Sequence, residues 1–181
     1  MRHSGLALVC VLATFSGCIF SPPQGKGKIV IPPKYDVPAS PELVLSNMVK
    51  AYTAKDSTAY KACFDDLHYF GTSVDQTGGQ AVPESLYFAN EAQHISALAR
   101  SAADVHLQLT PSIVRSRDTG DPPGWALIQN PVYNLTIDDG STEYVITGAS
   151  ETIEFRFVPK TPDTSSQTDT TWQIIRWTEI R

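Results

Sequence analysis

Helical periodicity in this chain stops at Asp104 and almost everything after it reads as strand, so a few early helices must pack against a late sheet. Ser40-Pro41-Glu42 is a helix start: a serine N-cap, a proline at the first helical position and an acid in the first turn. Leu45, Met48, Val49 and Tyr52 then follow the i, i+3, i+4, i+7 stripe of a buried face. Asp56 caps a second short helix expected to run to about Phe64. Residues 68–74 alternate as a strand, and Gly78-Gly79 marks a turn. Asn90, with Gln93 three residues on, predicts the start of a third helix that turns Ile95, Leu98, Ala99 and Ala102 inward.

Short strands are expected at 105–109 and 113–117, then a longer one over 125–138. Alternation puts Tyr133, Leu135 and Ile137 on one face of it, with Pro131 at a bulge or edge. Asp138-Asp139-Gly140-Ser141 is a hairpin signal. Residues 143–158 read as one strand bent at Gly148, sending Ile153, Phe155 and Phe157 one way and Glu154 and Arg156 the other. Residues 160–171 read as a loop and 172–180 as the closing strand, with no internal repeat. With 181 residues, 41% apolar and 18% charged, there is room for one cored α+β domain, placed at 40–181.

The head of the chain carries a different message. Arg2 and His3 precede an apolar run over residues 5–15. That run has the length of a signal-peptide core and falls short of the roughly twenty residues a bilayer span needs. Phe15-Ser16-Gly17-Cys18 resembles the lipobox of bacterial lipoproteins, with Phe15 where an aliphatic residue is usual. No Ala-x-Ala-like site of a simple secretory signal is present. The resemblance implies a signal peptide over 1–17, lipid on Cys18, and an exported chain held on the membrane of the cell envelope. Ile19, where an aspartate would retain the protein in the inner membrane, implies the outer membrane in a cell that has two.

Residues 18–39 are then the lipidated cysteine and a tether, with five prolines and two glycines between 19 and 39. Extended at ~3.1 Å per residue, the tether spans ~60 Å. Ile29-Val30-Ile31 is apolar enough to dock on the domain as an edge strand. Cys10 leaves with the signal and Cys18 takes lipid, so Cys63 stands alone and no intramolecular disulfide is expected. Tyr60, Cys63, Phe64 and Leu67 share helical spacing, which makes Cys63 a small buried hydrophobe.

A net charge of −5 with no lysine or arginine run excludes a nucleic-acid partner. There is no glycine-rich phosphate loop, nucleophile-elbow serine or zinc spacing, so no cofactor is expected. Glu91-x-x-His94 sets a carboxylate and an imidazole on one helix face; as a single copy in a strand-rich chain it is read as a solvated face rather than a metal site. Tyr52, Asp56 and Tyr60 are near neighbours in sequence, read as a helix cap between two core aromatics, so no catalytic residue is assigned. The large aromatics carry two readings. They fill the core, or Tyr52, Phe64, Trp125, Phe155, Trp172 and Trp177 line a ligand pocket.

The early segment runs from Pro41-Glu42-Leu43-Val44-Leu45-Ser46-Asn47-Met48 through Ala51-Tyr52, Lys55-Asp56, Ala59-Tyr60, Phe64, Tyr69 and Phe70. Together with the closing Trp172-Gln173-Ile174-Ile175-Arg176-Trp177, it resembles the nuclear transport factor 2-like superfamily. This cystatin-like α+β cone includes ketosteroid isomerases and SnoaL-like cyclases. The resemblance spans residues 40–181 and implies three N-terminal-half helices on a strongly curved antiparallel sheet that encloses a cone-shaped pocket. Three functions are carried forward. The first is a non-catalytic, membrane-anchored envelope lipoprotein that forms a homodimer or binds another envelope protein. The second is a binder of a small apolar ligand. The third is an isomerase- or cyclase-type enzyme, which requires a buried carboxylate facing the pocket beside a tyrosine hydroxyl.

Overall fold

A computed structural model describes residues 34–75, 82–101, 103–138, 140–147, 152–160 and 170–180. The signal segment, Cys18, the Ile29-Val30-Ile31 triplet, Gly78-Gly79, Ala102, Asp139, Gly148 and most of the 160–171 loop lie outside these residues.

Helix α1, Pro41–Thr53, starts where the Ser40 hydroxyl accepts from the Leu43 amide at 3.3 Å. It buries Val44, Leu45, Met48, Ala51 and Tyr52; Val49 is only half-buried, so the inward face is rotated from the expected stripe. Helix α2, Ser57–Ala62, is capped by Asp56, whose Oδ1 accepts from Thr58 and Ala59 amides at 3.1 and 3.0 Å. It ends before Phe64, which breaks the longer helical stripe. Cys63 stays buried, with its thiol pushed up to about 12 by that burial, while Leu67 is 81% exposed. Helix α3, Phe88–Arg100, begins two residues before the expected cap. Tyr87 holds the N-cap position, and the Asn90 side chain reaches back to accept from the Tyr87 amide at 2.9 Å.

The strands are β1 Phe70–Asp75, β2 Val82–Tyr87, β3 Asp104–Leu109, β4 Arg115–Ser116, β5 Ala126–Gln129, β6 Val132–Asp138, β7 Glu143–Thr147, β8 Thr152–Lys160 and β9 Thr171–Ile180. β2 carries no signal in the sequence. A six-stranded sheet runs β2-β1-β9-β8-β5-β4 and a three-stranded one runs β3-β6-β7. β1–β9 is parallel; the other strand pairs are antiparallel.

Two long strands expected from the sequence are each divided between the two sheets. Residues 125–138 split into β5 and β6 at Asn130-Pro131, where Pro131 has no amide to donate and Asn130 takes φ 47. The Asn130 side chain secures the corner by accepting from the Ile153 amide at 2.9 Å. Residues 143–158 split likewise into β7 and β8. The antiparallel-rich sheet therefore curls, and α1 touches both β9 of the larger sheet and β3 of the smaller. The result is the α+β class expected, with few helices on a curled sheet.

One strand face departs from the expectation. Gln108 pairs with Asn134 and Leu109 with Val132, leaving Tyr133 as a bulge. Leu135 and Ile137 point inward while Tyr133 is turned out, 61% exposed. The β8 alternation holds: Ile153, Phe155 and Phe157 are buried with Ile174, Phe64 and Tyr60. Arg156, on the opposite face, binds Asp121 and Asp118 at 2.9 Å and Glu154 at 3.3 Å.

Candidate functional site

A cavity of about 320 Å³ lies inside the curl, walled by α1, α3 and strands of both sheets. Leu107, Val132, Leu135, Ile137, Ile146 and Ile153 make one side apolar. Their inward direction follows from the period-2 alternation of β3, β7 and β8 and, in β6, from the bulge at Tyr133 that lets Val132 and Leu135 share a face.

The other side is polar and centres on Glu91. This residue lies in the first turn of α3 and is 7% exposed. The Tyr69 hydroxyl donates to its Oε1 at 3.0 Å and the Tyr60 hydroxyl to its Oε2 at 3.3 Å. One turn further along α3, His94 Nε2 and the Tyr52 hydroxyl share a hydrogen bond at 2.8 Å, with the two rings stacked at 5.9 Å. Gly71 makes the Tyr69 contact sterically open: a Cβ there would meet the Tyr69 hydroxyl at 2.8 Å and Leu86 Cβ at 3.3 Å.

Burial pushes the Glu91 carboxyl above its ordinary range, against the hydroxyls of Tyr69 and Tyr60 and the nearby His94, which favour the charged form. Tyr52, Tyr60 and Tyr69 are all raised, by burial first and then by the Glu91 charge. The three hydroxyls thus remain donors. A carboxyl in apolar surroundings with a raised pKa is better suited than an ordinary one to exchanging a proton with a bound molecule. Among the described residues no three His, Cys, Asp or Glu side chains converge as a metal site.

This geometry corrects one local reading of the sequence in part. Glu91 and His94 do share a helix face, but Glu91 is buried at the cavity wall, while His94 borders the same cavity and stays exposed to solvent. Glu91 stands four residues before Ile95 and seven before Leu98, so it continues the inward stripe of α3 and only its polarity hid it. Tyr69, 22 residues away from Glu91, gave no sign of the contact.

Of the residues proposed for a pocket, Tyr52, Phe155 and Trp177 line the cavity. Trp177 packs against Phe155 with the rings tilted and their centres 4.9 Å apart, and its buried Nε1 has no hydrogen-bond partner among the described residues. Phe64 is packed in the core at 1% exposure, between Tyr60 and Tyr69. Trp125 and Trp172 lie at a separate groove. Asp56 caps α2, as read from the sequence, and accepts from the Tyr35 hydroxyl at 2.9 Å.

No protein-family model and no curated protein matches the chain by sequence. By structure it is similar to a putative calcium/calmodulin-dependent protein kinase type II association domain from Thiobacillus denitrificans, at 14% identity and a TM-score of 0.49, over 80% of this chain and 97% of that one. It is also similar to an NTF2-like protein of unknown function in nutrient uptake from Rhodospirillum rubrum, at 13% identity and a TM-score of 0.49, over 77% and 95% of the two chains. A putative dehydratase of the NTF2-like family from Streptomyces avermitilis matches at 13% identity and a TM-score of 0.47, over 77% and 91%. Likeness at these identities concerns the fold and assigns no activity.

The raised carboxyl has a measurable signature. Between the ordinary value of 4.5 and its raised folded value, Glu91 keeps a proton in the folded state that the unfolded chain has lost. Its contribution to stability is therefore full below 4.5 and is lost as pH rises through the folded pKa. Glu91→Gln should remove this loss, flattening the pH dependence by up to about 1.4 kcal/mol per pH unit in that window. Urea unfolding of both proteins from pH 4 to 8 measures the difference; parallel curves would rule out a raised Glu91.

Proposed function

We propose that the domain binds a small, mainly apolar molecule in the cone cavity and holds its polar end with the Glu91–Tyr60–Tyr69 cluster. The observation that carries this reading is a buried carboxylate facing a mainly apolar cavity, hydrogen-bonded by two tyrosines. Its volume of about 320 Å³ falls in the range of small-molecule sites. A carboxylate has no packing reason to be there: a well-packed apolar side chain would serve the core at no desolvation cost. The order of the three functional readings changes accordingly, with ligand binding ahead of association with a second copy or an envelope protein.

The same cluster supports proton-transfer chemistry as a second reading. Glu91 would take a proton from a carbon next to a carbonyl and return it, in the manner of an isomerase or cyclase. The Tyr52 hydroxyl, bonded to His94, would be the donor for charge developing on oxygen.

The address read from the sequence belongs to the same proposal: a chain exported, lipidated on Cys18 and anchored in the envelope, at the outer membrane of a cell with two. The motif itself supports it, through the apolar run over 5–15 and Ser16-Gly17-Cys18.

Three measurements separate these statements. The neutral fluorophore N-phenyl-1-naphthylamine should bind the full-length chain saturably at one site. Ile146→Trp, on edge strand β7, should weaken it at least about tenfold by filling the cavity; unchanged binding would remove the cavity as the site. In deuterium oxide, the α-hydrogens of 2-tetralone should exchange faster with wild-type protein than with Glu91→Gln, as followed by proton NMR. Equal rates would end the proton-transfer reading and leave binding intact. Cys18→Ala should abolish metabolic labelling with a fatty-acid probe, and labelling that persists would refute the anchor.

A further inference from the structure

At the β4 edge of the larger sheet a second concavity, a groove of about 370 Å³, is lined by Arg115, Ser116, Arg117, Trp125 and Trp172. Its charges are unbalanced. Arg117 is exposed and has no partner among the described residues. Arg115 reaches Glu42 only at 3.5 Å, with side chains 48% and 34% exposed, a loose solvated pair that another anion can replace. Among the described residues no carboxylate lines the groove, and Asp118 and Asp121 on the following loop are held by Arg156 at 2.9 Å. In a chain of net charge −5, Arg117 and the loosely paired Arg115 form a local site of opposite sign to the whole.

The walls are flat and anchored. Trp125 carries the Arg176 guanidinium 5.7 Å from its ring centre. Trp172 is partly buried against the core, and its main-chain amide donates to Pro38 O at 2.8 Å. Gly124, at φ +92, has nothing within 4 Å of where a Cβ would stand, so that wall leaves the groove open. Indole faces accept the C–H face of a saturated ring, and a planar guanidinium grips a carboxylate or phosphate through paired N–H donors. Half-buried indoles in a concavity suit a ring entering it better than a bilayer surface, which would call for protruding ones.

We propose that this groove is a second ligand site, for a sugar ring bearing a carboxylate or phosphate, with Arg117 and Arg115 on the anion and the tryptophans on the ring. It is independent of the cone cavity and of whatever that cavity binds.

The test titrates the full-length chain with trigalacturonate, glucose 6-phosphate, maltotriose and inorganic phosphate, reading tryptophan fluorescence and amide NMR shifts. Saturable binding of trigalacturonate or glucose 6-phosphate is expected, tighter than for maltotriose or inorganic phosphate. Arg117→Gln should weaken it roughly tenfold, the size of one charge-assisted contact. Arg115→Gln should act in the same direction, and Glu91→Gln should bind as wild type. The proposal is overturned if neither charged sugar binds, if inorganic phosphate binds as tightly, or if Arg117→Gln leaves affinity unchanged. Binding confined to phosphatidylglycerol vesicles would overturn it as well, assigning the arginines to lipid headgroups.

Discussion

A carboxylate taken out of water must be given hydrogen-bond donors or a proton; Glu91 receives two donors, and burial raises its hold on a proton. Its two oxygens accept from hydroxyls carried by α2 and by the segment leading into β1, so the acid ties three separate stretches of chain together at the cavity wall. The bare backbone of Gly71 leaves the space that the Tyr69 hydroxyl occupies. Local order around the cavity follows from this single demand, as does its chemical character, because the donors that stabilise the acid also keep it facing an apolar space.

The cavity is a consequence of two interrupted strands. Had residues 125–138 and 143–158 each run straight, the sheet would have had one inner face and α1 would have covered it. Asn130-Pro131 turns β5 into β6, and the partner strands β7 and β8 are likewise divided between the two sheets. Five of the apolar wall residues come from beyond these corners or from the strand that pairs there: Leu107, Val132, Leu135, Ile137 and Ile146. The bulge at Tyr133 belongs to the same geometry, since it ejects one aromatic so that Leu135 and Ile137 can face inward.

The outer face of the larger sheet is also partly occupied by the chain itself. Arg156 and Arg176 sit opposite one another across β8 and β9, a like-charge pair that would repel if left bare. Arg156 is neutralised by Asp118 and Asp121 of the loop before β5, and Arg176 lies over the rings of Phe70 and Trp125. The loop thereby covers part of that face, while Arg117 at its start has no partner among the described residues and Arg115 is held only loosely by Glu42. Inner cavity and edge groove are thus two surfaces of opposite character, one apolar with a buried acid, the other cationic with aromatic walls.

Local chemistry was legible in the sequence because its causes are local. Ser40 and Asp56 cap helices since their side chains reach amides two or three residues away, and the β8 alternation sends Phe155 and Phe157 inward whatever they meet there. The early-helix, late-strand order is likewise a linear pattern. Position in space decided the rest. Leu67 fell outside the core with α2 ending at Ala62, two residues before the expected Phe64, and Trp125 and Trp172 met at a groove separate from the cavity although they lie 47 residues apart. Most of all, whether Glu91 faced water or a cavity depended on a tyrosine 22 residues away and on strands more than forty residues further along. Helical spacing can show that a residue points inward, but only the tertiary structure supplies the donors that make a charge tolerable there.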